Sequence, residues 1–144
     1  IFLLLSYQMR VLHLALRCPV GDLHFAGDHL GQERLANAYP WRILLDKGVI
    51  IAAGSDQPAE IGDPAIAFYA AVARKDLNGF TAEGWHPELV ITREKALKTL
   101  TIWGAYSAFQ DDLIGSIEVG KLADLSILDK NIMTIINGKI VYQK

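Results

Sequence analysis

Residues Val49 to Ala53 form a short, unbroken apolar run, VIIAA, that stops at Gly54-Ser55-Asp56. A strand with one wet face alternates apolar and polar residues, and this run does not. It suits a strand covered on both faces, as in a parallel sheet or a barrel. The segments on either side have helical patterns. Gln32 to Lys47 places Leu35, Ala38, Tyr39, Ile43 and Leu44 at spacings of three and four, and Gly48 follows as a C′ residue. Pro40 is expected to kink that stretch or split it into two short helices. After the strand, Asp63 and Pro64 read as an N-cap and an N1 proline, opening a helix to about Lys75.

The remaining chain extends the pattern. Pro19 to Gly31, rich in Gly, Asp and His, reads as a loop, as does Asn78 to Pro87. Thr92 opens a third helix, with Glu94 in its first turn and an inner stripe of Ala96, Leu97, Leu100, Thr101, Gly104 and Ala105, ending near Gln110. From Gly115 the texture turns to strands: Ser116-Ile117-Glu118, a Gly120-Lys121 turn with a solvated lysine, then Leu125 to Leu128. Asn137-Gly138 between two apolar runs is a strong hairpin signal. The apolar stretch Ile1 to Leu16 is too short to span a membrane and lacks the flanks of a signal peptide, so a buried strand is expected. Opening on such a run without Met, the sequence reads as a fragment. Helices and strands in this order suggest an α/β fold, the end of a barrel followed by a small β domain.

Composition excludes several classes. With 144 residues, 51% hydrophobic and 21% charged, one or two ordinary globular domains are expected rather than a disordered chain. A net charge of −2 leaves no electrostatic footprint for nucleic acid. The single cysteine, Cys18, rules out an internal disulfide framework, fits a reducing compartment and reads as an inert thiol. Trp41, Trp85 and Trp103 read as packing anchors, since no basic groove accompanies them. A cytoplasmic protein without membrane partners is expected.

Four stretches carry a resemblance: Leu30 to Pro58, Gly84 to Phe109, Ile114 to Ile132, and the terminal IINGKIVY. In this order they resemble the C-terminal part of amidohydrolase family 3, a group of metal-dependent hydrolases, over roughly four-fifths of the chain. The resemblance implies the C-terminal part of a (β/α)8 TIM-type barrel over residues 1–113 and strands of a flanking β-sandwich over 114–144. It implies one or two divalent metals, zinc first, at the C-terminal ends of the barrel strands. Their ligands would be a His-x-His pair, a bridging lysine or acid, two further histidines, and an aspartate after the eighth strand. By position that aspartate is Asp56, implied to be both catalytic and a metal ligand. The implied activity is hydrolysis of carbon–nitrogen bonds other than peptide bonds in a small amide-type substrate.

The residues themselves agree in part. Asp56 ends an apolar strand, where barrel enzymes place catalytic groups. A carboxylate there can take a proton from a nucleophilic water and return it to a leaving amine. A plain turn residue or helix cap remains the alternative. The sequence contains no His-x-His; its histidines are His13, His24, His29 and His86. Asp22 aligns with a substrate-facing loop of the family, and His24 beside it is a second candidate, though polar loop residues are the simpler reading. A chain without its other ligands is expected to depend on an upstream barrel portion, or to be a catalytically incomplete remnant that folds by homo-oligomerising or by completing a partner chain. A binding module without chemistry is the third possibility.

Overall fold

A computed structural model describes residues 11–15, 21–81, 84–127, 133–136 and 139–143. The chain divides into two compact units, Ile1–Leu100 and Thr101–Lys144.

In the first unit, strands β1 (Val11–Ala15) and β2 (Ile50–Gly54) pair in parallel, from Val11 opposite Ile50 to Ala15 opposite Gly54. Between them lie three short helices: α1 (Ala26–Leu30), α2 (Gln32–Leu35) and α3 (Trp41–Asp46). On a strand, successive side chains point to opposite faces. Ile51 and Ala52 are nonetheless 0% and 1% exposed, so β2 is covered on both sides, as its unbroken apolar run requires. Helix α3 packs against it, and so does α5 (Arg93–Leu100). Burying a side chain like Ile51 is worth about 1.5–3 kcal/mol.

The proline in the 32–47 stretch splits it into α2 and α3. Tyr39 takes a left-handed φ of 52° immediately before Pro40, which fits the steric exclusion of ordinary helical geometry ahead of proline. Pro19 to Gly31 is not wholly a loop, because α1 forms inside it. Helix α4 (Pro64–Ala73) starts as expected: the Ala65 N–H donates to Asp63 Oδ1 at 2.8 Å. It ends short of Lys75 because Arg74 turns left-handed, with φ 49°. Ala67, Ala70 and Ala71 are buried on α4 and Ala96 on α5, and small residues allow these two helices to approach closely.

The 92–110 helix is interrupted. It opens with the Lys95 N–H on Thr92 Oγ1, runs as α5, breaks at Thr101 and resumes as α6 (Ile102–Ser107). Thr99 is fully buried and donates its hydroxyl to the Ala96 carbonyl at 2.7 Å. Such back-bonding competes with the helix ladder and bends helices. The break also undoes the expected inner stripe: Ala96 and Ala105 are buried, but Leu97 is exposed and so is Thr101.

In the second unit, α6 leads into turns. Ser116-Ile117-Glu118 is not a strand. Lys121 is not solvated: its side chain is 11% exposed, and its ammonium donates to Ser116 Oγ at 2.6 Å with Glu118 at 3.7 Å. Strands β3 (Leu125–Ile127), β4 (Met133–Ile136) and β5 (Lys139–Gln143) form an antiparallel sheet in that order. The β4–β5 pairing is the expected hairpin; its Asn137-Gly138 turn lies outside the described residues, as do Cys18 and the opening IFLLL. Among the described residues the sheets have two and three strands, so neither a closed barrel nor a two-sheet sandwich is formed by them. None of their helices is long and apolar enough to cross a membrane.

Candidate functional site at the ends of the parallel strands

Strands β1 and β2 end level, with Ala15 opposite Gly54. The segments that leave them carry all three residues singled out in the sequence. Asp56 follows β2 by two residues. It is exposed, with a left-handed φ of 61°. Aspartate tolerates that region better than most residues, yet holding it there still costs on the order of 1 kcal/mol. Its carbonyl accepts the Glu60 N–H at 3.1 Å, and Ser55 Oγ accepts the Gln57 N–H at 3.4 Å. Ser55 therefore shapes the turn that displays Asp56.

The segment after β1 is braced from several sides. Gly21 lies under the Glu60 side chain: a Cβ at Gly21 would fall 2.0 Å from Glu60 Oε1, so a larger residue there would push that carboxylate aside. Asp22 is half-buried and accepts a hydrogen bond from the Tyr39 hydroxyl. His24 is exposed, but its Nε2 lies 3.3 Å from Asp76 Oδ2 and its ring stacks on Phe80 at 4.7 Å. Asp76 in turn accepts the N–H groups of Phe80 and Asn78 at 2.8 and 2.9 Å. Those bonds, the one from Phe80 first, hold its carboxyl below the usual carboxylate range, and His24 adds to them.

Behind this segment sits Arg74, with no exposed surface. Its guanidinium lies between the rings of Trp41 and Trp85, at 5.2 and 5.3 Å. Nε donates to the Trp85 carbonyl at 2.6 Å and Nη1 to the Tyr39 carbonyl at 3.2 Å; Nη2 has no partner among the described residues. Burial lowers its pKa to about 10, so it stays charged at neutral pH. Two aromatic faces and two carbonyls offset much of the cost of burying that charge.

Asp22 and His24 thus share one braced segment, and Asp56 stands on the neighbouring one. No three His, Cys, Asp or Glu side chains among the described residues gather into a group that could hold a metal. Trp41 and Trp85 are packing residues, as expected. Sequence reasoning missed Tyr39, Glu60, Arg74 and Asp76. Arg74 was the one with a signal, as a charge at the end of the apolar run PAIAFYAAVA. Glu60 and Asp76 look like ordinary surface residues until the chain is folded, and Tyr39 like one more apolar residue of the 32–47 helical pattern.

The chain is similar to several known proteins. Over 137 residues the chain is 29% identical to YtcJ of Bacillus subtilis, covering 85% of this chain and 26% of that protein. It is 35% identical to an N-substituted formamide deformylase of Arthrobacter pascens, covering 76% of this chain and 19% of the relative. The chain thus spans about a quarter or less of the length of these relatives. A crystal structure of a metal-dependent hydrolase from Pyrococcus furiosus superposes with a TM-score of 0.63 at 25% identity, over 77% of this chain and 21% of the other. The sequence profile of the amidohydrolase family matches residues 3–144, and the chain belongs to amidohydrolase family 3.

Proposed function

We propose that this chain is the C-terminal part of a (β/α)8 metal-dependent hydrolase, with the barrel portion at residues 1–113 and strands of a flanking β-sandwich at 114–144. It acts on carbon–nitrogen bonds other than peptide bonds in a small amide-type substrate, in the cytoplasm. The observation that carries this reading is Asp56: a carboxylate displayed in a left-handed conformation just past β2, on the face where both parallel strands end. Barrel enzymes build their active sites at that face.

The described residues do not by themselves fit a metal centre, since Asp56 offers one carboxylate donor and no set of three converges. The other ligands of a divalent ion, zinc first, would then come from an upstream barrel portion or a partner chain. Asp56 does the proton work. Its carboxylate takes a proton as a water oxygen adds to the electrophilic carbon that bears the nitrogen. It then hands that proton to the nitrogen as the carbon–nitrogen bond breaks, leaving an acid and an amine from an amide, or a ring carbonyl and ammonia from an aminopurine. The 5-methylthioadenosine/S-adenosylhomocysteine deaminase of Thermoanaerobacter pseudethanolicus is 37% identical over 100 residues, and the formamide deformylase is another relative. An N-substituted formamide and 5-methylthioadenosine are therefore the first substrates to try. Asp56→Asn in the intact protein should lower turnover by roughly 10²–10⁴-fold with an unchanged circular dichroism spectrum. Near-wild-type turnover would remove Asp56 from the mechanism.

A second reading is favoured by one observation. Phe109, Ile117 and Val119 are largely exposed, and apolar surface of that kind calls for a cover. A catalytically incomplete chain that self-associates, or completes a partner chain, would supply one. Intact mass of the purified protein, with its oligomeric state, separates the two readings.

A further inference from the structure

Two side chains on the braced segment could meet a substrate, and one of them is held in a way that points to a purpose. Asp22 is half-buried and accepts a hydrogen bond from the Tyr39 hydroxyl. Tyr39 is itself fixed at three points. Its carbonyl takes a bond from the buried Arg74, its ring meets Trp85 at 5.5 Å and Trp41 at 6.5 Å, and its backbone sits at φ 52° ahead of Pro40. The other flank of the segment is closed by Glu60, whose carboxylate lies over Gly21 and whose N–H bonds the carbonyl of Asp56.

We propose that Tyr39 is a positioning residue that aims the Asp22 carboxylate at a hydrogen-bond-donating group of the substrate, an amine or amide N–H, beside Asp56. The proposal rests on the reading of this face as the active site. Physical chemistry gives the reason for such a device. An aspartate on an exposed loop spends most of its time in rotamers that miss a ligand, and fixing it in advance removes an ordering cost at binding. A phenol hydroxyl occupies one carboxylate oxygen and leaves the other able to accept from the substrate. The ring that carries the hydroxyl cannot drift, because its backbone is tied to a guanidinium clamped between two indoles.

Tyr39→Phe removes the hydroxyl and leaves the ring contacts and the Arg74–carbonyl bond in place. With an N-substituted formamide or 5-methylthioadenosine as substrate of the intact protein, KM should rise by up to about tenfold, the cost of ordering one loosened side chain at binding. The turnover number should stay within about twofold, because the contact is equal in ground and transition states. Asp22→Asn should raise KM similarly, and the double variant should be no worse than either single one, because both remove the same interaction. An unchanged KM in Tyr39→Phe, or additive losses in the double variant, overturns the proposal. A fall in turnover at constant KM overturns it too, by moving the effect to the chemical step. Coupling of the two substitutions in denaturant unfolding reads the bond itself without any activity. Additive unfolding losses also overturn the proposal. Near-wild-type turnover in Asp56→Asn, with the Tyr39–Asp22 coupling intact, would instead sink the catalytic reading and leave the bond standing.

Discussion

Arg74 and Arg42 carry the same guanidinium in opposite surroundings. Arg74 has no exposed surface and lies between two indole faces, with carbonyls as its acceptors. Arg42 is 44% exposed on α3 and pairs with Asp46 one turn on at 2.7 Å, while Lys95 approaches the same carboxylate from α5 at 3.3 Å. The surface trio has full opposite charges in contact and looks the stronger on paper. Water and salt screen it, and holding long side chains in one geometry costs entropy. Among the described residues no carboxylate bonds Arg74, yet its loss would strip donors from two carbonyls and open the space between Trp41 and Trp85. Burial, not the count of ion pairs, decides which arginine the fold depends on.

The largest expected effect tests that conclusion directly. Arg74→Lys should destabilise the protein by on the order of 2 kcal/mol in denaturant unfolding, because an ammonium can neither stack between the indoles nor serve two carbonyls with a planar fork. A loss too small to measure would mean that the cluster tolerates any cation and that its geometry is incidental.

A carboxylate held by backbone N–H groups stands between the two extremes. Phe80 and Asn78 keep the Asp76 carboxyl below its ordinary range, and His24 assists. A group whose folded pKa is depressed contributes stability above its unfolded value of 3.8 and loses that contribution as pH falls through the folded value. Asp76→Asn should therefore flatten the acid limb of the stability curve between about pH 5 and pH 2. An acid limb identical to wild type would show that other carboxylates dominate there.

The smallest effect is expected at the surface. Asp46 is also held low, first by Arg42, but it is exposed. Asp46→Ala should leave the unfolding midpoint almost unchanged, and any difference should vanish in 1 M salt, where the screening length is about 3 Å. A large, salt-resistant loss would erase the contrast between the two arginines.

Much of this protein was legible in its sequence, for local reasons. The unbroken run at 49–53 announced a strand covered on both faces, since its side chains leave no polar face for water. Asp63-Pro64 announced a helix start through a cap bond two residues away and a proline with no N–H to lose. Four ordered stretches pointed to the amidohydrolase family, and that resemblance singled out Asp56, just past the strand, as the candidate. What tertiary structure decided was every relation across the chain. The break at Thr101 follows from a buried threonine bonding its own helix, which a pattern of apolar spacings does not reveal. Lys121 lost most of its water only when Ser116 and Glu118 turned back toward it. Tyr39 and Asp22, seventeen residues apart, and Arg74 and Tyr39, thirty-five apart, meet because parallel strands with helices packed on them bring distant loops to one end. Sequence fixes which groups a chain can offer; which of them lose their water and must find one another is settled only when the core closes.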